Sequence, residues 1–306
     1  MGLVDYSDSE DDITQKPLKR KRELKDDISA ELPPLPASFL DLYSTATRVS
    51  TNDDPTLHGG RKRAIPHVEG NWATHLYLEW HPTETESSIL TNLIKAVQMF
   101  QSESVKIKDT IERGQIHSLL QNDLGIQTPL HISLSVPLVL QTHQKDNFLS
   151  SITSALKQSS VRPFEIQFTK FKWVSNFDRT RWFLVLGVQK PANDELNRLL
   201  KACNKVARSF NQPELYNSAS PETMLVGRKS KKSRAKEEQR PLTTEDDLDR
   251  TEAFHVSLAW SLHGDRLTQI QLDDILAKME SAPEDINVRF RAVKVKIGNA
   301  ISNVEL

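Results

Sequence analysis

A chain of 306 residues, 37% hydrophobic and 26% charged, carries enough apolar content for one large domain or two small ones with a sizeable core. Its net charge of −1 at pH 7 argues neither for nor against nucleic acid, so local charge has to decide. The single cysteine, Cys203, excludes an intramolecular disulfide framework and a multi-cysteine zinc site and fits a reducing compartment, and no apolar run reaches the roughly 18 residues of a membrane span.

Residues 1 to about 35 read as a disordered tail, and residues 36–306 as one domain. Asp5 to Asp12 is acidic, which is not a secretory start. Lys16-Pro17-Leu18-Lys19-Arg20-Lys21-Arg22 is strongly basic, the pattern of a nuclear import signal, of a nucleic-acid patch, or of a solvated charge run. Glu31 to Pro36 reads as an extended proline linker. His58-Gly59-Gly60-Arg61-Lys62-Arg63 pairs flexible backbone with three positive charges, which suits a phosphate but equally a basic surface loop.

The first predicted strand is Trp72 to Trp80, from its aromatic and apolar content. Thr83 with Glu86 forms a predicted capping box, and Ile89, Leu93, Val97 and Phe100 recur at near-helical spacing behind it. Leu130 to Val136 is a predicted strand. Phe148, Leu149, Ile152 and Leu156 mark a second helix. Phe164 to Trp173 and Thr180 to Val188 read as strands. The stripe Leu196, Leu199, Leu200, Cys203, Val206 and Phe210 marks a third helix, with Cys203 as a small core residue. Residues 217 to about 250 lose apolar periodicity. The basic run Arg228 to Lys236 and the acidic Glu245-Asp246-Asp247 mark a flexible insertion there. Phe254 to Trp260 is the next predicted strand. A helix near Arg266 to Met279 and a strand near Ile286 to Val295 follow, and Gly298-Asn299 reads as a turn into the C-terminus. The order is α+β, with sheet covered on one face by helices.

Two of the predicted strands carry the same tetrapeptide. His131-Ile132-Ser133-Leu134 and His255-Val256-Ser257-Leu258 lie 124 residues apart (255 − 131), and of nine histidines only these two precede apolar, serine, apolar. Strand alternation sets His131, Ser133 and Ser135 on one face, and His255, Ser257 and Ala259 on one face of the other. A single such strand is more often ordinary core. Two copies fit one per half of a bilobal domain. Side by side they would surround a small site with two imidazoles and two hydroxyls, a set suited to a phosphodiester: one base, one acid, and donors to phosphate oxygens.

The paired motifs resemble the 2H phosphoesterase superfamily. Within it, His58 to Arg61, Pro66-His67, Gly70-Asn71-Trp72-Ala73-Thr74-His75, Phe254 to Trp260 and Gly298-Asn299 resemble the U6 small nuclear RNA phosphodiesterases. The resemblance implies a bilobal fold in which two similar lobes of antiparallel sheet plus helices face a central groove. It implies a nuclear, metal-independent and cofactor-free 3′-to-5′ RNA exonuclease that trims the uridine tail of U6 small nuclear RNA. A ribose 2′-hydroxyl attacks the adjacent phosphorus, leaving a 2′,3′-cyclic phosphate, or a phosphate once opened. It assigns His255 as base and His131 as acid, with Ser133 and Ser257 on phosphate oxygens. Tyr216 is the candidate to stack on the terminal base, although 39 residues (255 − 216) separate it from His255. Phe254, Val256 and Ile132 are further substrate-binding candidates. The partner expected is the RNA 3′ end, with no membrane and a monomeric protein. Two other readings stay open: a general 2H cyclic phosphodiesterase on nucleotides or transfer RNA ends, and a non-catalytic RNA-binding spliceosome factor.

Overall fold

The aromatic run expected as the first strand forms β1 (Asn71–Trp80) in the computed structural model, which describes residues 68–103, 115–122, 124–176, 179–216, 248–262, 267–279 and 285–306. The N-terminal tail, the stretch 58–67 and all but the last residues of the 217–250 insertion lie outside the described residues. Helix α1 (Glu84–Glu103) follows and starts at the predicted capping box. The Thr83 N–H donates to Glu86 Oε2 at 2.7 Å, and the Glu86 N–H donates to Thr83 Oγ1 at 3.3 Å. Then come β2 (His117–Ser118), β3 (Leu130–Ser133), β4 (Leu138–Gln141) and α2 (Lys145–Gln158). They are followed by β5 (Phe164–Ser175), β6 (Trp182–Val188) and α3 (Glu195–Ser209). The described chain closes with β7 (His255–Ser261), α4 (Gln269–Ala277), β8 (Asn287–Phe290), β9 (Ala292–Ile297) and β10 (Ala300–Glu305). The class is α+β, as expected.

The strands run β10-β9-β1-β3-β7-β6-β5-β8, with β2 beside β7 and β4 beside β1. Every strand pairing among the described residues is antiparallel. The path divides into β10-β9-β1-β3 and β7-β6-β5-β8, and the two histidine strands are the inner members that join the halves. The path bends back on its buried side. Trp80 of β1 and Phe168 of β5 have ring centroids 5.0 Å apart, although their strands are separated by four spacings of about 4.8 Å. The β5–β6 register shifts between Phe168 and Phe171, an irregularity of the kind that bends a strand.

The core lies on the side of the sheet away from the histidines. Leu76, Leu78, Ile132, Val256 and Leu258 are wholly buried, and the stripes of α1 to α4 join them in one cluster: Leu90, Leu93 and Val97; Phe148 and Ile152; Leu196 and Leu199; Leu272 and Ile275. Each large apolar side chain so buried contributes about 1.5–3 kcal/mol. Cys203 sits inside the α3 stripe, where burial pushes its thiol up to about 12, so it is a packing residue.

Two expectations need correction. The strand predicted over Leu130 to Val136 stops at Ser133. The buried Ser135 turns back so that its Oγ accepts the Leu76 N–H at 3.0 Å, and Pro137 has no N–H with which to continue the ladder. Ser135 therefore leaves the His131 face. The strand predicted over Ile286 to Val295 is two strands with different partners, β8 on β5 and β9 on β1. The turn expected at Gly298-Asn299 is present, as the turn of a hairpin in which Ile297 opposes Ala300. Gly298 has φ +61 there, as a two-residue hairpin turn requires.

Candidate active site

The two motifs meet directly. Ile132 of β3 stands opposite Val256 of β7. Continued by one residue each way, this antiparallel register sets His131 across from Ser257 and Ser133 across from His255. Directly opposed side chains share a face, with Cβ atoms about 4.5–5.5 Å apart, and diagonal ones lie about 7–8 Å apart. The two imidazoles are the diagonal pair, spaced to hold a tetrahedral phosphate between them. Each lies beside the other motif's hydroxyl. The intervening Ile132 and Val256 are buried, while His131 is exposed and Ser133, His255 and Ser257 are partly so.

Hydrogen bonding distinguishes the two histidines. His255 Nδ1 is 2.7 Å from the Ala253 carbonyl. A carbonyl only accepts, so the Nδ1–H donates and Nε2 faces the site with its lone pair. The His131 ring has no hydrogen bond among the described residues, and neither do the hydroxyls of Ser133 and Ser257. Three of the four groups thus retain their hydrogen-bonding capacity for a ligand. Both imidazoles titrate below the ordinary histidine value. For His131 burial is the largest cause; His255 and Lys296 add to it, and Glu79 opposes them. For His255 burial again leads, with the Ala253 carbonyl opposing and Lys172 adding. His131 is both solvent-accessible and desolvated, as befits a ring open on one side and walled by protein on the others.

Strands β1 and β9 build the wall on the His131 side. Tyr77 opposes Ser133 and Glu79 opposes His131, while His75 opposes Lys296 and Tyr77 also opposes Lys294. The His75 ring stacks on Tyr77 at 5.2 Å, and both stand edge-on to His131, at 5.4 and 5.5 Å. Burial, then His131 and Lys296, take His75 down to about 3, so it is neutral at physiological pH. Burial opposes ionisation of Glu79, but the His81 hydrogen bond and Lys294 outweigh it and hold its carboxyl below the usual range. Glu79 Oε2 accepts from His81 Nε2 at 3.2 Å and from Lys294 Nζ at 3.1 Å. Sequence reasoning missed these five wall residues. Their signal was polar side chains at every second position (75, 77, 79 and 294, 296) of otherwise apolar strands.

On the other flank Gly187 opposes His255 and Val185 opposes Ser257. A Cβ on Gly187 would collide with Thr169 Oγ1, so glycine permits the strand contact beside His255.

The other candidates fall as follows. Tyr216 packs edge-on against Phe254 at 5.5 Å, so the insertion does not carry it away from the second motif. Burial raises its hydroxyl well above the tyrosine range. Phe254, Val256 and Ile132 are wholly buried on the core side, which leaves only their main chain for substrate contact. The Gly70 to His75 stretch meets the Gly298 turn. The Gly298 N–H donates to the Ala73 carbonyl at 2.8 Å beneath the Trp72 ring, and Trp72 Nε1 donates to Thr142 Oγ1 at 3.0 Å. Both pieces brace the site from outside it. Among the described residues no group of three or more His, Cys, Asp or Glu is placed to hold a metal.

A family described as "HVSL: Uncharacterised conserved protein" matches residues 33–305, and its label reads as residues 255–258 of this chain. The curated U6 snRNA phosphodiesterase 1 of Neurospora crassa is 32% identical, over 91% of this chain and 75% of that protein. The protein of that name from Rattus norvegicus is 25% identical, over 89% of this chain and 83% of its own length. The solved structure of Kluyveromyces marxianus Usb1 is similar with a TM-score of 0.48 at 17% identity, covering 76% of this chain and 98% of that one. With a family match over nearly the whole chain and a relative above 30% identity along most of its length, this chain belongs to the U6 snRNA phosphodiesterase 1 family.

Proposed function

We propose that this chain is an RNA phosphodiesterase that trims the 3′ end of U6 small nuclear RNA, nucleotide by nucleotide from the 3′ terminus. The observation that carries the chemistry is the β3–β7 seam, where each motif's histidine lies beside the other motif's serine. His255 Nε2 takes the proton of the penultimate ribose 2′-hydroxyl. The 2′-oxygen bonds to phosphorus, the P–O5′ bond breaks, and His131 gives its proton to the departing 5′-oxygen of the terminal nucleotide. A 2′,3′-cyclic phosphate remains, and water can open it by the reverse use of the same two groups. Ser133 and Ser257 donate to the non-bridging oxygens, where charge builds in the transition state. Tyr216 receives the terminal base. The protein acts as a monomer in the nucleus, with the Lys16 to Arg22 run as its import signal. No helix among the described residues is long and apolar enough to cross a membrane.

The test is a short RNA ending in uridines, incubated with the protein in EDTA, beside His131→Ala and His255→Ala. The wild type is expected to shorten the RNA from its 3′ end. Each variant should lose about 10²–10⁴-fold in rate, the usual worth of a positioned acid or base. Mass analysis of the ends should show the cyclic phosphate. An intact RNA with wild-type protein, or full activity in either variant, overturns the proposal.

A further inference from the structure

The two lysines that β9 presents to the site face are not equivalent. Lys294 is committed to Glu79, its Nζ 3.1 Å from Oε2, with only 13% of the lysine side chain and 6% of the glutamate exposed. The Nζ of Lys296, two residues on and opposite His75, has no hydrogen-bond or ion-pair partner among the described residues. We propose that Lys296 binds an anionic oxygen of the RNA phosphate backbone on the His131 side of the two-histidine centre. This rests on the RNA-processing reading above.

The surroundings favour an anion there. Lys296 is partly buried, and desolvation is the largest cause depressing its proton affinity, with Glu79 opposing. A half-desolvated ammonium without a hydrogen-bond acceptor gains more from an incoming anion than a solvated one does. Glu79, the one carboxylate acting on it among the described residues, is already shared by His81 and Lys294. His75, beside it, is neutral and cannot compete for the anion. Lys296 also acts electrically on both His75 and His131, so its charge lies within reach of the position where a phosphate would bridge to His131. A lysine that only solvated the sheet surface would keep its head in water and leave those two imidazoles undisturbed.

Binding separates this from a structural role. The probe is a uridine-ended RNA whose penultimate nucleotide is 2′-deoxy, which cannot be cut by 2′-hydroxyl attack. Its Kd is measured against salt for wild type, Lys296→Met and Lys296→Arg, with a thermal melt of each. Lys296→Met is expected to weaken binding about tenfold at low salt. It should also flatten the slope of log K on log salt by about 0.7, the share of one phosphate contact on a single strand. Lys296→Arg should restore both. Should the methionine variant melt early, Lys296→Gln is read in the same way. A slope equal to wild type in a folded neutral variant overturns the proposal. That failure is distinct from failure of the functional reading, which shows as wild-type protein that does not shorten ribose RNA.

Discussion

A single hydrogen bond, from His255 Nδ1 to the Ala253 carbonyl, selects the tautomer that presents Nε2 to the site. The sequence made the histidine legible but not its tautomer, because Ala253 belongs to a one-turn helix (Thr251–Ala253) whose carbonyl direction depends on the fold. Tyr216 is similar. Its position 39 residues before His255 placed it nowhere in particular, and only the packing of its ring on Phe254 puts it beside the motif. Stacking on an aromatic side chain contributes about 1–3 kcal/mol per base. Tyr216→Ala should therefore raise KM for uridine-ended RNA by about tenfold or more while leaving kcat within a few-fold. Single-turnover kinetics would check this, and an unchanged KM would remove Tyr216 from the binding role. His75 and Tyr77 went unread for a different reason. A histidine and a tyrosine in an aromatic strand look like core residues, and only the registers with β3 and β9 turn them toward His131.

Among the elements, the helices were the most legible, since an apolar stripe at helical spacing survives almost any tertiary arrangement. The strand boundaries were less so. The buried residues run Ile286, Val288, Phe290 and then Val293, Val295, Ile297, so the two-residue period changes phase at Arg291. That phase change was present in the sequence, and it marks where the chain leaves β5 for β1. The β9–β10 hairpin was hidden because β10, with Ile301, Ser302 and Asn303, lacks a clean apolar face at the edge of the sheet. Its turn is testable. Gly298 combines φ +61 with a built Cβ that would come 2.7 Å from the Trp72 ring, whereas Gly125 at φ +73 has nothing within 4 Å. Gly125→Ala should cost about 1 kcal/mol, the backbone term alone, and Gly298→Ala about 2–4 kcal/mol once the Trp72 contact is added. Urea unfolding of the two variants side by side is the check. Equal losses would mean that Trp72 yields freely.

For the whole molecule, joining two half-sheets at the histidine strands has an electrostatic consequence for stability. The unfolded chain takes up a proton on His75 near the ordinary histidine value of 6.5, and the folded chain only at about 3. Between those values the unfolded state holds more protons, so this contribution to stability is present above about 6.5 and is lost progressively as pH falls toward 3. The urea midpoint should drop between pH 7 and pH 4.5. His75→Phe, which keeps a ring against Tyr77 and His131, should flatten that drop. An equally steep drop in the variant would assign the acid sensitivity elsewhere. By itself the sequence determined the class of the fold, the helices and the two histidine–serine motifs, because periodicity and short motifs are local and written in consecutive residues. Tertiary structure alone decided that the motifs are hydrogen-bonded neighbours, which lysine of β9 is neutralised, and which imidazoles stand over the site. These depend on register between strands distant in the chain, and a one-residue slip in that register would have turned every one of these side chains to the other face.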